Sequence, residues 1–413
     1  SYNEDFGVNY YYNPVGMLEE RMGNYSSEET RATGNITFEP IKGWQTNLML
    51  STSRFDSHDK GFNTSDYYGN KLSQYKGYAY HTNDDSRTDN LEITSKYDLS
   101  IKKHRMNAMV GYSYQYYKWE RNYANNYNFP TDFFQWNNLG IGQALKEGKA
   151  GMGSDANENT LIGFFARVSY AYDNRYNLLV SVRREGSSKF GENNKYAFFP
   201  SAGLAWTISQ EDFMQDQSTI SNLKLHTSYG LTGNSEIDTY RSLARVSSGT
   251  LLINDIRAPY SYISSMANPD LKWEKTGQFD VGFEIGFWQN RLSFDVAYYN
   301  KKTTDLLLDC PIPHTTGFTT VYKNIGSVRN QGMDLMISAR PVQTQDFNWS
   351  STINLNFNKN KILQLGDNNE DIEMNSWVGG SESILRVGEN MSSFYGYRRL
   401  GVYTEEDFNN GLC

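Results

Sequence analysis

The sequence predicts an all-β protein: a transmembrane, antiparallel, up-and-down β-barrel. Three observations carry this. First, apolar and polar residues alternate along long segments, which marks strands with two unlike faces. In residues 278–287, Phe279, Val281, Phe283, Ile285 and Phe287 alternate with Gln278, Asp280, Gly282, Glu284 and Gly286. Second, the connections within strand pairs are short, and most of those between pairs are long. Outer-membrane barrels are connected in this way, whereas soluble sandwiches mix connection lengths through Greek keys. Third, the strands are long enough. Ile162 to Tyr172 spans ten steps, roughly 33 Å at about 3.3 Å per residue. Tilted by about 40°, that covers about 25 Å, the height of an outer-membrane apolar band.

Taken in order, Phe6–Tyr12 reads as a strand and residues 13–30 as a loop. Ala32, Ile36 and Phe38 form the first apolar face; a turn at Pro40–Gly43 leads to Trp44, Thr46, Leu48 and Leu50. A polar connection over 55–87 precedes Leu91, Ile93, Tyr97 and Leu99, a turn at 101–103, then Met106, Ala108, Val110, Tyr112, Tyr114 and Tyr116. Residues 119–159 read as a second long connection. Ile162–Tyr172 and Tyr176–Val182 form the next pair about Asp173-Asn174. Strands follow near 196–208 and 222–232, with a helical turn expected at Glu211–Asp216 between them. A loop over 233–274 leads to the pair that turns at Trp288-Gln289-Asn290 and returns through Leu292, Phe294, Val296 and Tyr298. In this pair the apolar series should face lipid, with Asp280, Glu284, Arg291 and Asp295 facing the lumen. After a loop over 304–330, Met333–Ala339 and Trp349–Phe357 form the sixth pair, and a last strand is expected near Phe394–Tyr403. Trp44, Tyr97, Tyr172, Tyr176, Phe287, Trp288 and Trp349 gather beside the short turns, where an interfacial aromatic girdle belongs.

Bulk properties narrow the classes. A net charge of −8 with no basic stripe argues against a nucleic-acid partner. No apolar run reaches the roughly 18 residues of a spanning helix, which says nothing against a barrel. The two cysteines, Cys310 and Cys413, form no disulfide framework or zinc spacing; a single bridge between them stays open. The chain opens on SYNEDFG without a signal peptide and stops just after a strand-like segment, so it reads as a piece of a longer protein.

Several longer words are more specific. They are Phe199-Pro200-Ser201-Ala202-Gly203-Leu204-Ala205-Trp206 with Ser209–Met214, Tyr229-Gly230-Leu231-Thr232-Gly233-Asn234, and Asn268-Pro269-Asp270-Leu271-Lys272-Trp273-Glu274. Tyr298–Leu308, Asn324–Gly332, Phe357–Lys361, and Val387-Gly388-Glu389 leading to Phe394–Tyr397 complete them. In these words and their order the chain resembles the SusC/RagA-type TonB-dependent outer-membrane transporters of Gram-negative bacteria, most strongly over residues 196–403. The resemblance implies a multi-pass outer-membrane protein whose complete barrel has 22 strands. It also implies an N-terminal plug, a TonB box, a SusD-like surface lipoprotein as lid, and the TonB complex as energy source. The whole chain, 1–413, then reads as a barrel fragment of about fourteen strands, with plug, TonB box and last strands outside it. The implied activity is import of an oligomeric nutrient, with a glycan preferred and a peptide as the alternative.

No catalytic, cofactor or metal site is expected. The five histidines, His58, His81, His104, His226 and His314, lack ligand spacing or a positioned partner, and no G-x-S-x-G elbow occurs. The run Asp367–Asp371 offers oxygen ligands, but Ile372 and Val378 stand where an EF-hand needs Gly and Glu. Gly148–Gly153 and Gly379-Gly380 lack the strand-to-helix context of a phosphate cradle. Substrate contact is the remaining chemistry. Residues 117–136 hold Trp119, Tyr123, Tyr127, Phe133, Phe134 and Trp136 among Asn and Arg, aromatic faces with amide neighbours that suit sugars or peptides. The tyrosines of 66–80 form a second candidate. Two other classes remain as alternatives. An outer-membrane barrel enzyme needs a Ser/His/acid cluster, and none can be assembled. A soluble carbohydrate-binding module needs shorter strands without long apolar bands.

Overall fold

The structure, a computed structural model, describes residues 14–253, 256–366, 368–376, 380–391, 393–398 and 401–402. The strand expected at Phe6–Tyr12, together with Asp367, Val378, Gly379, Tyr403 and Cys413, lies outside these residues.

One twelve-stranded antiparallel sheet dominates, and it contains the six expected pairs. These are β1 (Arg21–Ile41) with β2 (Trp44–Asn63), β3 (Tyr78–Ile101) with β4 (His104–Tyr127), and β5 (Gly151–Tyr172) with β6 (Tyr176–Ser187). β7 (Tyr196–Thr207) and β8 (Ile220–Asn234) follow. Then β9 (Arg245–Ile253) and β10 (Ile256–Ser265) form a separate hairpin. β11 (Glu274–Phe287) and β12 (Leu292–Thr304) rejoin the sheet, with β11 pairing β8. A short hairpin of β13 (Leu307–Pro311) and β14 (Thr320–Asn324) precedes β15 (Ser327–Gln343) and β16 (Asn348–Gln364). Strands β17 (Ile372–Ser376), β18 (Gly380–Leu385) and β19 (Ser393–Phe394) form a small third sheet. Chain order is sheet order in the main sheet, so among the described residues β1 and β16 each have a neighbour on one side only.

The structure corrects several boundaries. Residues 13–30 are not a loop: α1 (Pro14–Glu19) and the first part of β1 occupy the described part. The connections expected over 55–87 and 119–159 shrink to 64–77 and 128–150, because β2 to β5 extend for 20 to 24 residues, about twice the expected length. The loops 233–274 and 304–330 contain the β9–β10 and β13–β14 hairpins. The helical turn after Glu211 is a single turn, Asp212–Met214, and the last strand shortens to β19.

The chain divides into two compact units. The first holds Ser1–Lys96, Val110–Phe164 and Gly186–Ser188; the second holds Tyr97–Met109, Phe165–Glu185 and Lys189–Cys413. In the second, register joins the alternating patterns of separate strands into rows. One row runs Trp206, Leu225, Phe283, Val296, Leu335, Leu355 across β7, β8, β11, β12, β15 and β16. Beside it run Leu223, Ile285, Phe294, Ile337, Ile353 and Val281, Tyr298, Met333, Phe357. The opposite face carries Lys224, Glu284 and Asp295 in one row, and Lys224 Nζ sits 2.8 Å from Glu284. Because the side-chain period is two, a slip of one residue would exchange these faces. The first unit shows the same outward series where Ile36 lies opposite Leu48.

The turn at 288–290 is tight: Trp288, Gln289 and Asn290 take φ of 50°, 59° and 60°. Arg291 is not a lumen residue of a strand. It lies in this turn and donates through its guanidinium to the carbonyls of Arg340 and Pro341, at 3.4 and 2.9 Å. The aromatic rings beside the short turns have their polar ends satisfied. Tyr176 and Trp206 stack at 6.4 Å and both donate to Glu211 Oε1, at 2.6 and 2.9 Å. Arg175 donates to Glu211 and Asp212, and Lys103 to Asp173. These donors hold Glu211 below its usual carboxylate value, through Tyr176 first, then Trp206 and Arg175.

The distinctive sequence words are mostly locks between connections at the other end of the second unit. Leu271 and Trp273 are fully or almost fully buried, with Trp273 against Phe190 and Phe199 at 4.8 and 5.4 Å. Gly191 permits this, since a Cβ there would stand 2.0 Å from the Pro269 carbonyl oxygen. Asn324 ties two further segments: it accepts from Lys272 N and donates to the carbonyls of Lys272 and Asp305. Cys310 lies in β13 with its Sγ 3.6 Å from the Leu308 carbonyl.

Candidate functional site

The candidate residues lie in the first unit, where β3, β4 and β5 continue past the apolar series. Hydrogen bonds from Arg121 to Asp84 and from Asn83 to Asn122 set β3 opposite β4 here. Strand periodicity places Tyr117, Trp119, Arg121, Tyr123, Asn125 and Tyr127 on one face of β4. It is the face opposite to Val110, Tyr112 and Tyr114. Trp119, Tyr123 and Tyr127 are thus on an extended strand, not in the expected loop.

Arg121 organises this face. Its Nε and NH2 donate to the two Asp84 oxygens at 2.6 and 3.0 Å, and its guanidinium lies 5.1 Å from the Trp119 ring centre. The Asp84 carboxylate raises the guanidinium pKa further, so the cation is fixed in place and already paired. Gly153 on β5 leaves room for the Tyr123 ring, since a Cβ there would meet it at 2.7 Å. Asn125 accepts from Gly151 N at 3.1 Å, and Tyr127 stacks on Tyr75 at 4.1 Å. Tyr78 and Tyr80 join from the matching face of β3, their ring centres 6.2 Å apart. Burial pushes the Tyr78 phenol up, and burial together with Tyr75 does the same to Tyr127. Both therefore remain neutral hydroxyls through the physiological range.

The other three candidates lie elsewhere. Trp136 packs beside a buried cluster of Phe62, Ala79 and Phe129, on the opposite face of β2 and β3. Its carbonyl meets His81 Nε2 at 2.8 Å. Phe133 and Phe134 form an edge-on pair at 5.4 Å in the connection, with Phe133 82% exposed. The sequence grouping therefore separates into a strand-borne aromatic face, a core tryptophan and an exposed pair. Tyr75, Tyr78 and Tyr80 of the second candidate thus meet the first, and Asp84 was missed as a partner; the alternation Tyr117, Trp119, Arg121, Tyr123 was the available signal.

The described histidines meet neutral partners or none. His58 meets Asn83, His104 meets Tyr170, and His226 Nδ1 is buried without a hydrogen-bond partner. Among the described residues no three His, Cys, Asp or Glu side chains gather to hold a metal.

A family described as TonB dependent receptor-like, beta-barrel matches residues 1–410. The chain belongs to this family. A TonB-dependent receptor of Formosa agariphila is 33% identical over 405 residues, covering 97% of this chain and 40% of that protein. The TonB-dependent receptor SusC of Bacteroides thetaiotaomicron is 35% identical over 271 residues, 60% of this chain and 26% of SusC. The structure of the RagAB peptide transporter superposes with a TM-score of 0.81 at 28% identity, over 91% of this chain and 40% of that one. The chain thus spans about two fifths of the length of such relatives. It is an outer-membrane TonB-dependent receptor barrel of SusC/RagA type. In outer-membrane barrels the apolar face meets lipid, the polar face meets the lumen, and the long connections lie at the cell exterior.

Proposed function

We propose that the chain is the barrel wall of a transporter that imports an oligomeric nutrient, drawing its energy from the TonB complex and working with a SusD-like surface lipoprotein. Family membership carries this reading. The chain does no covalent chemistry. Plug and TonB box belong to other parts of the whole protein.

The preferred cargo is an oligosaccharide. The support is the β4 face on the lumen side of the sheet, where flat rings alternate with Arg121 and Asn125 and the one cation is already matched by Asp84. Such a surface offers ring stacking and neutral hydrogen-bond partners rather than net charge. Its residues are Trp119, Tyr123 and Tyr127, with Tyr78 and Tyr80 opposite. A peptide is the second reading, favoured by the likeness to the RagAB peptide transporter.

The test is calorimetric titration of the full-length transporter with defined oligosaccharides and peptides. Trp119→Ala should weaken the bound cargo about thirtyfold, the cost of truncating a central aromatic anchor. Heat from peptides alone would replace the glycan reading with the peptide one. Unchanged affinity in Trp119→Ala would remove this face from the binding surface.

A further inference from the structure

The lipid-facing side of the second unit carries charge of one sign, at one end only. Following register above the apolar rows, Asn300 pairs with Gln331 and Gln331 with Lys359; in the next row Lys302 pairs with Arg329 and Arg329 with Lys361. Lys302, Arg329, Lys359 and Lys361 are all exposed. No Asp or Glu occupies an outward position on β11 from Lys275 to Phe287, on β12 from Leu292 to Thr304, on β15 from Arg329 to Ala339, or on β16 from Ser351 to Lys361. None of the four cations makes an ion pair among the described residues. On the opposite face, Lys224 of β8 pairs with Glu284 of β11.

We propose that this row docks the phosphate-bearing headgroups of outer-leaflet lipid. Lys302 lies ten steps along β12 from Leu292, roughly 33 Å of strand at about 3.3 Å per residue. Tilted by about 40°, this places the row at the outer rim of a band about 25 Å high. Adjacent strands lie about 4.8 Å apart, so Lys302, Arg329 and Lys361 form a line of donors of the width of one phosphorylated headgroup. Long cationic side chains at a membrane rim extend into the headgroup layer, and a guanidinium meets a phosphate through two parallel hydrogen bonds. The apolar rows directly below hold the acyl chains of the same lipid. The inference does not depend on which cargo is transported.

The test titrates diphosphorylated lipid A into the detergent-solubilised full-length transporter, read by native mass spectrometry. The triple variant Lys302→Gln, Arg329→Gln, Lys361→Gln should bind about a hundredfold more weakly, at roughly fivefold per cation removed. Lys301→Gln, whose ammonium lies 5.3 Å from the Tyr299 ring on the lumen face, should bind as the unaltered protein does. If the triple variant fails to assemble, Arg329→Gln alone carries the test with a fall of about fivefold. Undiminished binding by these variants overturns the proposal, as does equal affinity for dephosphorylated lipid A. Binding of inorganic phosphate alone with comparable affinity marks a free-anion site and overturns it too.

Discussion

Phe283 and Asp280 are three residues apart on β11 and belong to opposite environments. Phe283 lies between Leu225 and Val296 in the lipid-facing rows, and Asp280 lies between Ser228 and Tyr299 on the lumen face. A carboxylate at Phe283 would enter hydrocarbon, at a cost of about 2 kcal/mol near the bilayer midplane. Asp280→Ala removes contacts with Gln278 and Ser228 that are already wet. In the full-length transporter, Phe283→Asp should therefore abolish the heat-modifiable band of the assembled barrel on a gel, while Asp280→Ala keeps it. Equal tolerance would undo the assignment of faces. The faces of β11 were legible from the sequence because, from Gln278 to Phe287, every lipid-facing position is apolar and every lumen position is polar or Gly. Arg291 was misplaced because the same alternation was carried one residue into a turn, where its guanidinium bonds to carbonyls instead.

At the scale of elements, the short turns hold each other by charge. The β5–β6 turn and the connection after β7 meet through Arg175, Glu211 and Asp212, beside Tyr176 and Trp206. Glu211 is depressed below its ordinary value of 4.5, so its contribution to stability is present in full above that pH and is lost as pH falls through the lower folded value. The melting-temperature gap between the full-length protein and Glu211→Gln should be constant near neutrality and close as pH drops below 4.5. A gap that persists unchanged into acid would remove Glu211 as an anionic hub. The elements most poorly read from sequence were the extensions of β2 to β5, and β4 shows the physical reason. Up to Tyr116 its apolar residues point outward, as Val110 and Tyr112 do. Beyond it Lys118 and Glu120 occupy the outward positions, and the aromatic residues Trp119, Tyr123 and Tyr127 move to the inner ones. The period remains two while the aromatic residues pass from one face of the strand to the other. A search for one continuous apolar face reads that reversal as a loop. The β9–β10 and β13–β14 hairpins were missed for another reason: neither joins the main sheet.

For the whole molecule, the number of strand pairs in the main sheet was legible and that sheet's edges carry the consequence. β1 and β16 each present one unpaired side among the described residues. Within hydrocarbon, each unsatisfied backbone group costs several kcal/mol. Expressed alone, residues 1–413 should therefore show no heat-modifiable migration, whereas the full-length transporter should. A clean shift from the isolated chain would mean that the edges close on each other. One feature of the second unit has a use in engineering. The β9–β10 hairpin leaves the chain at Ser242 and returns at Asn268, and these two residues are joined by a backbone hydrogen bond of 3.0 Å. Its exit and re-entry points therefore already touch, while the locking residues Leu271 and Trp273 lie outside the excursion. A tag, an epitope or a foreign hairpin spliced in at that neck should therefore leave the pairing of β8 with β11 unaltered.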